Sequence, residues 1–311
     1  MQLKTIKKTI SAKMNAWLES ITDEKLRSDV KDNLLISGGS ITSLLLNEEV
    51  NDYDVYIQDR NVLLKLVNYY VGDMDDVEVW DGRNKKDIIK DREFDGCDLE
   101  NSYSQLGCAI RNLGTDQIKL YIEGSSTGGL KVESALEAVR NSAESMTEVA
   151  KYRVEFLSPN AISLSDNIQI VIRFYGTPED IHKTFDFIHA TNYFTFKDGV
   201  VTNIMALESI LTKQLHYQGS LYPLTSVIRA KKFLDRGWKV NAGEYLKMMF
   251  QISLLDLTDI DVLEEQLIGV DVAYFGALIK ALREHKEKNI DFVPTAAYMN
   301  EIINRIFNEE E

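Results

Sequence analysis

The stretch from Leu34 to Ile57, LLISGGSITSLLLNEEVNDYDVYI, constrains the fold more than any other part of the chain. An apolar run ends on two adjacent glycines and a serine, a short amphipathic stretch follows, and two aspartates then flank a tyrosine. Residues 34–37 read as a short buried strand and residues 40–47 as a helix of a turn or two, with Ile41, Leu44 and Leu45 inward. Residues 52–57 alternate, so Asp52, Asp54 and Tyr56 share one face and Tyr53, Val55 and Ile57 the other. A helix over 62–70 and a strand over 77–80 come next. Strand, helix, strand in this order predicts a mixed α/β sheet.

The same stretch carries chemistry. Gly38 and Gly39 lack Cβ, so their amides can approach an anion, and Ser40 opens the next helix at its positive end. Asp52 and Asp54 are hard oxygen ligands on one strand face, and two such carboxylates repel unless cations sit between them, which suits Mg²⁺. With two ions the arrangement would serve an in-line displacement at phosphorus. A Gly-Gly-Ser alone is an ordinary turn and a D-x-D alone a solvated strand end. Joined by a helix of this length between two strands, they point to a triphosphate and its metal.

Residues 82–150 change character, being rich in Asp, Lys, Asn, Ser and Gly, with a strand-like island at 117–122 and a weakly amphipathic helix at 134–150. They read as a large insertion. Strands return in YRVEFL, AISL and NIQIVIRFY. Thr177 then caps a helix with Pro178 at its first position. FDFIHATNYFTFKDGVVTN reads as strand, Lys-Asp-Gly turn and short strand, with Asp186 near its start. Beyond Asn203 the pattern is helical, including a helix after Pro223 that carries Arg229, Lys232 and Arg236 on one face. The expected organisation is α+β: a mixed β-sheet domain with flanking helices over 1–202, containing the insertion at about 82–150, and a C-terminal all-helical domain over 203–311.

The order of glycine pair, helix and D-x-D resembles the DNA polymerase beta superfamily of nucleotidyltransferases. Within it the chain is similar to CCA-adding enzymes and bacterial poly(A) polymerases, whose pattern is G-G-x-V-R-D-x-L-L-G followed by D-x-D. GGSITSLLLNEEVNDYD keeps the glycines, the paired leucines and both aspartates, but has Thr42 and Ser43 where that family has arginine and aspartate. PEDIHKTFDFIHATNYFTFKDG matches a second motif at Glu179, Asp180, Asp186, Phe187, Asp198 and Gly199, with Thr184 and Phe185 replacing two arginines. SVIRAKKFLDRGWKV matches a third at Arg229, Ala230, Phe233, Gly237 and Trp238.

The resemblance implies a nucleotidyltransferase-type domain that moves a nucleoside monophosphate from a nucleoside triphosphate to an RNA or tRNA 3′ end. It also implies Mg²⁺ on Asp52 and Asp54 with a third acidic ligand from a later strand. Asp186 is the choice for that ligand, with Glu155 and Asp166 competing. Gly38, Gly39, Ser40, Arg173, Arg229, Lys232 and Arg236 are the expected nucleotide contacts. Arg173 fits a strand-end salt bridge equally well, and a solvated basic face is the alternative for the helix. His182 and His189 read as structural. The missing arginines leave room for a small-molecule or protein acceptor, or for a homologue that binds nucleotide without turnover.

Bulk properties bound these readings. A net charge of −14 over 311 residues excludes a protein that coats nucleic acid non-specifically, although 228–239 forms a local basic cluster. No window approaches the roughly 18 apolar residues of a membrane span. The first residues read as a helix with Ile6, Ile10, Met14 and Leu18 on one face rather than a signal peptide, so a cytoplasmic protein is expected. Cys97 and Cys108 have no metal-ligand spacing and read as reduced thiols.

Overall fold

The computed structural model describes residues 2–72, 77–81, 118–122, 130–131, 152–158, 160–266, 272–289 and 292–308. They fall into two compact units, the first ending at Gln218 and the second beginning, among the described residues, at Gly219. The insertion's expected helix at 134–150 and both cysteines lie outside the described residues.

The first unit opens with α1 (Leu3–Glu19), whose Ile6, Ile10, Met14 and Leu18 are buried as their spacing predicts. α2 (Glu24–Asn33) starts where the Asp23 carboxylate accepts the Leu26 N–H, and leads into β1 (Leu34–Ser37), α3 (Gly39–Leu46), β2 (Tyr53–Ile57) and α4 (Arg60–Val71). Asp59 caps α4 by accepting from the amides of Asn61 and Val62. β3 (Val77–Asp81) and β4 (Ile118–Ile122) come next, then β5 (Leu130–Lys131), β6 (Val154–Ser158), β7 (Ala161–Leu164) and β8 (Ile168–Val171). α5 (Pro178–His182) begins with a complete capping box between Thr177 and Asp180. The unit closes with β9 (Tyr193–Thr195), β10 (Gly199–Val201) and α6 (Ile204–Thr212).

Eight strands form one mixed sheet in the order β10-β9-β1-β2-β8-β7-β6-β5. β2 and β8 run parallel and the remaining neighbours are antiparallel. Alternation divides the sheet into two unlike faces. One face presents Leu34, Ile36, Tyr53, Val55, Ile57, Ile168, Ile170 and Phe194 to α1 through α4, and this is the main core. Burying each such aliphatic side chain is worth about 1.5–3 kcal/mol, so this face fixes which residues must point the other way. The Trp17 indole donates to the Tyr70 hydroxyl at 2.9 Å, tying α1 to α4 beneath the sheet.

Two expectations need correction. The strand at 77–80 forms, but β3 pairs with β4 in a separate two-stranded sheet. The place beside β2 is taken by β8, which returns parallel to it after the insertion. The expected strand from Asp186 does not form before Tyr193: Phe187 makes a single bridge to Tyr217, and Ile188–Ala190 is one 3-10 turn. Its backbone groups serve another purpose, described below.

The second unit contains α7 (Pro223–Asp235), α8 (Ala242–Ile252), α9 (Ile260–Gln266), α10 (Val272–Lys288) and α11 (Ala296–Asn308). Ile260, Leu263, Leu278, Ile279, Leu282 and Ile302 form its core, and an Arg283–Asp261 ion pair of 2.7 Å ties α10 to α9. α6 belongs to the first unit, so the compact unit extends past residue 202 to Gln218. A mixed sheet with flanking helices followed by a helical C-terminal region is the architecture expected from the sequence. No helix among the described residues is long and apolar enough to cross a membrane.

Candidate active site

The glycine turn sits where β1 ends. Gly38 has φ 90° and ψ −151°, a backbone conformation essentially reserved for glycine. A Cβ placed there would stand 2.8 Å from Asp54 Oδ2. The missing side chain therefore lets the Asp54 carboxylate lie against the turn. Gly39 opens α3, is exposed, and a Cβ on it would meet nothing within 4 Å. Ser40, in the first turn, is 2% exposed and its Oγ has no hydrogen-bond partner among the described residues.

The irregular segment after Asp186 braces this turn. The Gly38 N–H donates to the Ala190 carbonyl at 3.1 Å and Thr42 Oγ1 to the His189 carbonyl at 3.0 Å. The Ser37 hydroxyl donates to the Asn192 carbonyl at 2.9 Å and lies 2.9 Å from His182 Nε2. A hydroxyl has one proton, so with that proton on Asn192 the imidazole must donate from Nε2. Burial holds the His182 pKa below its ordinary value, opposed by the charge of Glu179.

On the face away from the main core, strand register lines up a row of polar side chains. Tyr193 pairs with Ser37, Ser37 with Asp54, Asp54 with Gln169, and Gln169 with Ser163. The row crosses five neighbouring strands and contains no lysine or arginine. The next row is apolar: Leu35, Tyr56 and Val171 pack with Ile181 of α5 and with Phe174, Phe185 and Tyr193. α5 thus covers the apolar row, while Asp54, Gln169 and Ser163 remain half-buried. Asp52 immediately precedes β2 and is exposed, with no hydrogen bond or ion pair to a described residue.

The structure thus brings Gly38 and Asp54 together, with Gly39 and Ser40 next to Gly38 along the chain and Asp52 two residues before Asp54. Asp186 is buried and engaged; it follows α5, and its carbonyl accepts the Gln218 N–H. Among the described residues no three His, Cys, Asp or Glu side chains are grouped to hold a metal ion. Glu155 is exposed beside Arg153, and Asp166 pairs with Lys13 at 2.8 Å. Arg173 lies just past the end of β8, is buried, and donates to Asn160 Oδ1 at 3.3 Å. Arg229, Lys232 and Arg236 belong to the second unit. The residues replacing the family arginines are otherwise employed: Thr42 in the brace, Thr184 bonded to the Ile181 carbonyl, and Phe185 in the apolar cluster. Ser37, His182 and Gln169 were not singled out as site residues by sequence. Their signal lies in pairings between distant segments.

The profile of the Gabija anti-defense 2 family matches residues 8–213, which include the whole of this site. The chain belongs to the Gabija anti-defense 2 family. A curated relative, Gabija anti-defense 2 of Bacillus phage SPbetaL7, is 24% identical over 150 residues. That match covers 45% of this chain and 37% of the phage protein, so the chain spans well under half of the relative's length. Among solved structures, a CCA-adding enzyme with CTP is 12% identical with a TM-score of 0.36, covering 94% of this chain and 58% of the other. The Thermotoga maritima CCA-adding enzyme complexed with tRNA is 13% identical with a TM-score of 0.34, covering 95% and 60%. At these scores the likeness adds no weight to the chemistry, which for this member of the Gabija anti-defense 2 family rests on its own residues.

Proposed function

We propose that this chain is a divalent-cation-dependent nucleotidyltransferase, transferring a nucleoside monophosphate from a nucleoside triphosphate to an acceptor hydroxyl. The convergence of the Asp54 carboxylate on the Gly38 turn carries this reading, because a phosphate-binding bend and a hard metal ligand then share one small volume. The amides that open α3 and the unpartnered Ser40 hydroxyl suit the triphosphate oxygens. The open space at Gly39 admits them. Asp52 and Asp54 fit a cation held by two carboxylates, with phosphate and water oxygens completing its shell. Such a cation would neutralise the triphosphate and acidify the attacking hydroxyl. The braces from His189, Ala190 and Asn192 keep the turn in place, and Ser37, held by His182, fills the floor beside Asp54.

The first reading of the acceptor is an RNA 3′ end, supported by the motif order and by the basic cluster on α7. A protein or small-molecule hydroxyl is the second reading. It is favoured by the polar row, which offers no cation to a polyanionic acceptor, and by a family named for countering a defence. Asp52 is exposed and has no hydrogen bond or ion pair to a described residue, so Asp52→Ala should leave the melting temperature unchanged. It should also abolish transfer of label from α-labelled triphosphates in separate screens against tRNA, protein and metabolite pools. Full labelling by the variant would remove the assignment.

A further inference from the structure

The superfamily resemblance calls for a third acidic ligand on a later strand, and the sheet topology identifies the residue that occupies that place. Only β1 and β8 flank β2, and β8 is the later strand. Its register sets Gln169 directly beside Asp54, on the same face and about 4.8 Å away across the sheet. Gln169 is neutral. Its Nε2 donates to Ser163 Oγ at 3.3 Å, which holds the amide from the β7 side. The described residues contain no group of three His, Cys, Asp or Glu side chains that could hold a metal ion.

Charge decides how many cations such a floor can hold. Two divalent ions about 4 Å apart repel strongly, and the carboxylates between and beside them offset that repulsion. With a neutral Gln169 beside Asp54, a second ion lacks the full negative charge that an acidic residue at this position would supply. We propose that this site takes a single divalent cation per bound triphosphate, and that the neutral Gln169 is what excludes a second. The proposal rests on the nucleotidyltransferase reading above and specifies its cofactor stoichiometry.

The test is a count of bound Mn²⁺ on the full chain by electron paramagnetic resonance, with each of the four non-hydrolysable nucleoside triphosphate analogues. The wild-type chain should bind one Mn²⁺ per analogue. Gln169→Glu, which is nearly isosteric, should bind two, the second at least tenfold more tightly than in wild type. Two tight ions in wild type, or an unchanged count and affinity in Gln169→Glu, would overturn this proposal while leaving the transferase reading intact. A count of zero with every analogue would instead remove the site, and this proposal with it. Were Gln169→Glu to fail to fold, the wild-type count decides alone.

Discussion

Gly38 and Gly39 are adjacent and chemically identical, yet the structure assigns them opposite duties. Gly38 occupies a conformation that other residues adopt only at a cost of about 1–3 kcal/mol, and its missing Cβ makes room for Asp54. Gly38→Ala should therefore lower Tm by roughly 2–12 °C and displace the carboxylate as well. Gly39 opens a helix and faces open space, so Gly39→Ala stiffens the unfolded chain at no structural cost, a gain of about 0.4–1 kcal/mol. Its new methyl group would nevertheless stand where the triphosphate is proposed to enter. Calorimetry on both variants should show stability and nucleotide affinity falling together in Gly38→Ala and moving in opposite directions in Gly39→Ala. A Gly39→Ala chain that binds triphosphate at full strength would place the phosphates elsewhere.

At the scale of elements, α5 is short but holds His182 against Ser37 and Ile181 over the apolar row. Burial favours the neutral imidazole, so the folded state resists protonation more than the unfolded chain does. A depressed folded pKa contributes stability that is fully present above the unfolded value of 6.5 and is lost as pH falls through the folded pKa. Glu179 partly offsets the shift, and the Tyr193 ring that faces His182 carries no charge in this range. Melting curves should thus show Tm declining below about pH 6.5, and His182→Gln should flatten that decline. An identical slope in the variant would assign the pH dependence to other groups. Elements such as α1, β1, α3 and β2 were legible in the sequence because their periodicity and turn residues are local. The polar row was not, because it is made by pairing β2 with β8 across the insertion, and no local pattern records that partner. The segment after Asp186 misled for a different reason. Its aromatic and apolar composition suits a strand, but its carbonyls are spent on Ser37, Gly38 and Thr42.

For the whole molecule, charge sets what the acceptor can be. At −14 the chain repels a polyanion at long range, so an RNA acceptor must be held by a local cluster strong enough to overcome that field. In the second unit α7 supplies Lys231 and Lys232, with Arg236 and Lys239 following, and all four are exposed. Lys231 is paired with Asp235 at 2.8 Å, and Lys232 and Arg236, both exposed, serve as the probes. If RNA is the acceptor, Lys232→Glu with Arg236→Glu should weaken RNA binding at least tenfold at low salt. Removing two phosphate contacts should also flatten the salt dependence by roughly 1.4 in the log–log slope. Triphosphate labelling of a non-nucleic-acid acceptor would not respond in this way. A double variant with unchanged RNA affinity and slope would exclude α7 as the RNA contact. The neutral and acidic row beside Asp54 would then make a protein or small-molecule hydroxyl the better fit to the site.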